Sequence, residues 1–395
     1  MKTFEQELAE IAESGLYRRL SPSLSRGERI FDIGRGKNLY NFATNDYLGI
    51  SGDVEFQDEF FSLLSSRLLG GEFLMSALSS RLLGGDNPAF GALENYFQDL
   101  YSSVVCPKSA LLFNGGYHAN TGVLPALASS CDAIFCDKLA HASIIDALKL
   151  SRAKFFRFAH NDCDHLGRLL AENRAKFERA FIVTESVFSM DGDFADLPGL
   201  IELKKKYQCM LYVDEAHSFG LFGERGLGWC AETAAAADVD IIMCTLGKAA
   251  ASFGAVVFTT PALREILINK ARTFIFTTAM PPLCALWTRF IFEKIERMDD
   301  RRKHLRQISQ FFRQELRPLN TLGASQIVPI IIGDESKTIA VSGKMLEKGW
   351  WPSAVRYPTV PKNSARLRLS LNAKMQKSDL EIFASELKNT LKHEI

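Results

Sequence analysis

The chain has 395 residues, 47% of them hydrophobic, with 47 basic against 46 acidic side chains and a formal charge of +1. A chain of this size and composition can bury a large core, as two domains, and it lacks the basic excess expected of proteins that bind nucleic acid or membrane surfaces. No apolar signal core and no run long enough to span a bilayer is present, which predicts a cytoplasmic protein. The eight cysteines are scattered singly without metal-ligand spacing, which predicts reduced thiols and no metal site.

Residues 1–45 read as an amphipathic helix and a polar connector, carrying the adjacent Arg18 and Arg19, that runs into a short strand and the polar loop Asn45-Asp-Tyr-Leu-Gly49. A short repeat follows, Ser65-Ser-Arg-Leu-Leu-Gly-Gly71 recurring as Ser79-Ser-Arg-Leu-Leu-Gly-Gly85. Its copies are too few and too close for a solenoid, and a local duplication without chemical role is the default reading.

Residues 46–282 are expected to form a large α/β domain. Short apolar runs at 109–113, 132–137, 154–158, 179–186, 210–216, 241–246 and 255–260 alternate with helical patterns. That alternation implies a mostly parallel sheet covered on both faces, with ligands at the carboxyl edge of its strands. Pro281-Pro282 marks a boundary, after which residues 283–395 read as a smaller α+β domain opened by one long helix to about residue 316.

The polar residues that close the strands are the informative ones. Asn114-Gly-Gly116-Tyr117 follows the first strand, Ser189 the fourth, Asp214 and His217 the fifth, and Thr245 and Lys248 the sixth. A lone lysine in a turn is most often a surface residue, but one at the end of a buried strand loses hydration, and its pKa falls towards neutrality. A buried aspartate needs a partner, either a structural hydrogen bond or a protonated ring nitrogen. A lysine amine, a carboxylate for a pyridinium, and anion-binding N–H groups at a helix start are together what pyridoxal 5′-phosphate requires. His141, which opens a helix, offers either a cap or a planar ring to stack on that cofactor.

The motifs Asn45-Asp-Tyr-Leu-Gly, Ala140-His-Ala-Ser, His160-Asn-Asp, Thr184-Glu-Ser-Val-Phe-Ser-Met-Asp-Gly-Asp193, Val213-Asp-Glu-Ala-His217, Thr245-Leu-Gly-Lys248, Thr277-Thr-Ala-Met-Pro-Pro282 and Ala365-Arg-Leu-Arg together resemble the α-oxoamine synthase family of fold-type I pyridoxal-phosphate enzymes. The resemblance implies an aminotransferase-like fold and a homodimer with active sites at the subunit interface. It also implies a decarboxylating condensation of L-alanine with a pimeloyl thioester, carried by coenzyme A or acyl carrier protein, to give 8-amino-7-oxononanoate for biotin synthesis. Sister members instead use glycine with an acetyl, or serine with a long acyl, thioester.

By the same resemblance Lys248 carries the cofactor, Asp214 meets its ring nitrogen, His141 stacks on the ring, and Ser189 and His217 bond the ring oxygen. Gly116, Tyr117 and Thr245 hold the phosphate, joined by Thr277 and Thr278 from a second subunit. Asn45 and Arg366 hold the amino-acid carboxylate; Arg356, Thr359 and Arg19, or else Arg18, contact the acyl substrate. Two departures from the family pattern, Ala249-Ala-Ala-Ser where glycines are frequent and Ser218-Phe219 after the histidine, bear on the acyl pocket.

Overall fold

A computed structural model describes residues 2–14, 17–18 and 20–392 of the chain. Its centre is a seven-stranded sheet. In chain order the strands are β1 (Ser109–Phe113), β2 (Ala133–Asp137), β3 (Lys154–Phe158), β4 (Ala180–Glu185), β5 (Met210–Asp214), β6 (Ile241–Thr245) and β7 (Ala255–Thr259). In space they run β1-β7-β6-β5-β4-β2-β3. Only β7 opposes its neighbours; the other pairings are parallel. The expected fold-type I, mostly parallel α/β architecture is borne out.

The period of two along each strand divides the core. Leu111 and Phe113 of β1, with Ile134 and Cys136 of β2, face one apolar cluster; Ala110 and Leu112, with Ala133 and Phe135, face the other. Each large side chain so buried contributes about 1.5–3 kcal/mol, and strands covered on both faces must be apolar at every position. Polar residues are therefore pushed to the strand ends, which is where the site lies.

The carboxyl-terminal part holds an antiparallel sheet of β8 (Ile327–Gly333), β9 (Ser353–Val355) and β10 (Ala365–Ser370), with β10 in the middle. Residues 23–32 depart from the expected polar connector. Strands Ser23–Arg26, Arg29–Asp32 and Lys37–Asn41 form an antiparallel meander, and Trp350–Trp351 adds to it in parallel. Strands this short, with one face exposed, leave little periodicity to read. The long helix expected after Pro282 is two, Pro282–Ile295 and Asp299–Glu315. The buried Arg302 guanidinium takes the carbonyls of Ile295 and Glu296 that the break sets free.

The two repeat copies have different surroundings. The first ends the helix Val54–Leu69, where Arg67 pairs with Glu72 at the surface. The second forms a tight turn whose Arg81 meets Asp86 and the buried Glu94; Glu94 also accepts from Arg264 at 3.1 Å and from the Leu112 N–H at 2.9 Å. Among the described residues no helix is long and apolar enough to cross a membrane.

Candidate active site

At the carboxyl edge of the sheet, β6 ends at Thr245 and the turn through Gly247 delivers Lys248. The lysine opens onto a cavity of about 160 Å³, lined also by Gly116, Tyr117, His141, Asp214, His217 and Thr245. Seven residues expected from the sequence thus share one cavity. Lys248 Nζ lies 2.7 Å from His217 Nε2. Burial pushes its ammonium down to about 8, against the nearby carboxyls of Asp214 and Glu185. Burial, reinforced by Lys248, holds His217 well below the usual imidazole range and lowers His141 as well, so both rings are neutral near neutral pH.

Asp214 is buried at the end of β5, its Oδ2 accepting from Asn120 Nδ2 at 2.9 Å and its Oδ1 from the Ala216 N–H at 2.9 Å. Asn120 is itself fixed by Tyr212 and Ser143. His141 caps the helix Ala142–Leu150, its Nδ1 accepting from the Ser143 N–H at 3.2 Å. The cap and the cavity-lining ring are one arrangement, so the two sequence readings of His141 do not exclude each other. Gly116 begins the helix Gly116–Leu127, directing free N–H groups towards the same cavity beside Thr245. A helix start for an anion, a buried carboxylate for a protonated ring nitrogen and an amine of lowered pKa are the donor set that pyridoxal phosphate needs.

Other expected residues are placed differently. Ser189 lies outside the cavity lining; its carbonyl accepts from Arg368 Nε at 2.6 Å. Thr277 and Thr278 stand apart from the lysine cavity, with Asn114 Nδ2 donating to Thr277 Oγ1 at 3.3 Å and to the Thr278 carbonyl at 2.6 Å. Arg356 and the exposed Thr359 share a turn, and Arg356 Nη2 reaches the Tyr17 carbonyl at 3.4 Å. That contact brings the N-terminal segment to the same surface. Arg18 is exposed there, and Arg19 lies outside the described residues.

Arg366 is engaged within the protein. Its guanidinium pairs with Asp191 and donates to the Met190 carbonyl at 3.2 Å. Arg368, two residues along the same face of β10, instead reaches Asn45 Oδ1 at 3.2 Å and depresses the pKa of Lys248. The sequence could not choose between them, because i and i+2 on a strand point the same way. Asp191, in the loop after β4, takes Arg366 and leaves Arg368 as the one of the two that reaches Asn45.

Sequence reasoning also missed Glu185. It is buried, lines the cavity, stands beside Asp214 in the strand register and leaves Oε1 without a partner. Desolvation, and then the Asp214 charge, raise its carboxyl well above the usual range. Its last place in an apolar strand, before Ser186, was the available signal.

Residues 37–387 match the family described as aminotransferase class I and II. The chain belongs to that family. A Haemophilus influenzae protein provisionally named 8-amino-7-oxononanoate synthase is 43% identical over 400 residues, which is 98% of this chain and 100% of that one. A Neisseria gonorrhoeae protein of the same provisional name is 42% identical over 398 residues, 98% of this chain and 100% of its own. The α-oxoamine synthase resemblance is thereby borne out. Among solved structures, Sphingomonas wittichii serine palmitoyltransferase superposes with a TM-score of 0.87 at 28% identity, covering 99% of this chain and 96% of that one. Francisella tularensis 8-amino-7-oxononanoate synthase does so with 0.73 at 29%, covering 90% and 98%.

Proposed function

We propose that the protein is a pyridoxal-phosphate-dependent acyltransferase. It joins L-alanine to a pimeloyl thioester, of coenzyme A or acyl carrier protein, with loss of carbon dioxide and release of the carrier thiol, to give 8-amino-7-oxononanoate. The observation that carries this reading is the single cavity in which Lys248, Asp214, His141 and His217 converge, in a chain similar over its full length to proteins of that provisional name.

When bound, the cofactor supplies an electron sink for negative charge at the amino-acid Cα. The protein's part is positional and protolytic. Asp214, anchored by Asn120 and the Ala216 N–H, would keep a proton on the ring nitrogen. Gly116, Tyr117 and Thr245 would hold the phosphate, His141 would lie against the ring, and Lys248 would carry the cofactor and then move the Cα proton. Its pKa of about 8 suits an amine that must both bond and accept a proton near neutrality. Arg368 and Asn45 would hold the amino-acid carboxylate. His141 would then donate to the thioester oxygen as charge develops there.

The active unit is proposed to be a homodimer in which Thr277 and Thr278 serve the neighbouring phosphate. Supporting this, Met75, Leu78 and Phe276 are exposed on segments tied together by the Ala279 N–H to Ser79 carbonyl bond of 3.1 Å. The likeness to serine palmitoyltransferase favours a second reading, serine with a long acyl thioester. Mass analysis of products from alanine, glycine or serine, each offered with pimeloyl, acetyl and palmitoyl thioesters, separates the readings. A product from serine and palmitoyl thioester, with none from alanine and pimeloyl thioester, overturns the first.

A further inference from the structure

One chain of hydrogen bonds crosses the site through a residue with no assigned role. Lys248 Nζ meets His217 Nε2 at 2.7 Å, and His217 Nδ1 meets the Tyr47 hydroxyl at 2.6 Å. Tyr47 donates to Asn45 Oδ1 at 3.0 Å, which also accepts from Arg368 Nη2 at 3.2 Å. Tyr47 is 1% exposed, and the His217 backbone is pinned separately by Gln326 Nε2 on its carbonyl at 2.8 Å. The His217 backbone is therefore fixed independently of the hydroxyl, which acts on the ring and on its protons.

Tyr47 has one hydrogen to give. If it goes to Asn45, His217 Nδ1–H donates to the phenol oxygen and Nε2 faces Lys248 as an acceptor. If it goes to His217 Nδ1, then Nε2 carries the proton and faces the cavity as a donor. Which arrangement holds depends on how good an acceptor Asn45 Oδ1 is, and that depends on Arg368, with Ser370 Oγ a second, longer donor at 3.4 Å. A carboxylate that draws the Arg368 guanidinium away frees Asn45 Oδ1 for the Tyr47 proton.

We propose that Tyr47 is a positioning residue that sets the tautomer of His217 and thereby couples occupancy of the carboxylate subsite at Arg368 to the proton state at Lys248. The charged and titratable groups around this chain are Lys248, Arg368 and His141 about His217, Asp214, Glu185 and Arg368 about Lys248, and Arg368 about Tyr47 itself. The inference rests on the pyridoxal-phosphate reading, and the two fail separately. If the wild-type protein shows no cofactor absorbance, the reading falls; the inference is tested by how that absorbance titrates.

The experiment compares Tyr47→Phe with the wild type, both loaded with cofactor, by following the cofactor absorbance against pH with and without propionate, a carboxylate that lacks a reactive amine. The wild-type midpoint should move when propionate is added. In Tyr47→Phe the midpoint without propionate should differ from the wild type by roughly half a pH unit or more, and the response to propionate should be lost. The melting temperature of the cofactor-free variant reports packing independently. A Tyr47→Phe protein with a wild-type midpoint and a wild-type propionate response overturns the proposal, whether or not its melting temperature falls. A wild type that does not respond to propionate, while alanine still perturbs its spectrum, overturns the coupling.

Discussion

Lys248 Nζ and His217 Nε2 lie 2.7 Å apart at the carboxyl edge of the sheet, and both groups have lowered pKa values from the same burial. The lysine's folded pKa of about 8 is below its ordinary value of 10.5. Cofactor-free protein mixed with pyridoxal phosphate should therefore be captured faster as pH rises, about tenfold per unit below that pKa, and level off above it. Stopped-flow absorbance measures this, and a rate that is flat from pH 6 to 9 would contradict it. For stability the sign follows from the unfolded state binding more protons between about 8 and 10.5. Lys248 thus costs stability below that window, and the cost is relieved as pH climbs through it. Lys248→Met should abolish cofactor capture and raise the melting temperature at pH 7.

Arg366 and Arg368 should separate in kinetics. Arg368→Lys removes the forked geometry suited to a carboxylate and is expected to raise KM for the amino acid by roughly tenfold or more, with a small change in melting temperature. Arg366→Ala leaves Asp191 without its partner and should destabilise the fold by about 3–5 kcal/mol, the cost of breaking a buried pair. Steady-state kinetics beside thermal denaturation would distinguish them; the reverse pattern would return the substrate role to Arg366.

The two copies of Ser-Arg-Leu-Leu-Gly-Gly make an internal control. Arg81→Ala removes one of the two arginines on the buried Glu94 carboxylate, which keeps Arg264 and the Leu112 N–H, and should cost roughly 2–4 kcal/mol. Arg67→Ala breaks an exposed pair, worth about 0–1 kcal/mol. Equal losses in chemical denaturation would show that the first copy is anchored in some other way.

Ala251, in the turn after Lys248, has φ of +44°. Its N–H reaches the Lys248 carbonyl at 2.9 Å, and its carbonyl accepts from Trp287 Nε1 at 3.0 Å, so the turn is held in that conformation. A side chain there costs about 1–2 kcal/mol. Ala251→Gly should raise stability by up to about 1 kcal/mol, once the greater freedom of glycine in the unfolded chain is subtracted. A lower melting temperature for Ala251→Gly would mean that the methyl group's packing outweighs the strain.

Much of the centre was legible because its chemistry is punctuated by strand ends. Asp214 and Thr245 each close an uninterrupted apolar run, with Lys248 in the turn just beyond Thr245, and a doubly covered parallel sheet makes such runs unambiguous. Residues whose roles depend on partners distant in sequence were not legible. Choosing Arg368 over Arg366 needed the position of Asp191, and recognising Tyr47 needed His217 beside it. Glu185 reads as the polar close of a strand until register sets it against Asp214. The first two strands of the meander, at 23–32, were missed for a related reason, since the sheet they join is extended by Trp350–Trp351 from the opposite end of the chain.

Asn45 and Arg368 are 323 positions apart in sequence. During synthesis β5 with Asp214 and the turn after β6 with Lys248 emerge well before β10, so the groups proposed to hold the cofactor are made before the arginine that would select a carboxylate exists. The order of translation separates the two capacities: a nascent chain halted after β7 would carry the lysine proposed to hold the cofactor but not the arginine proposed to hold the amino-acid carboxylate.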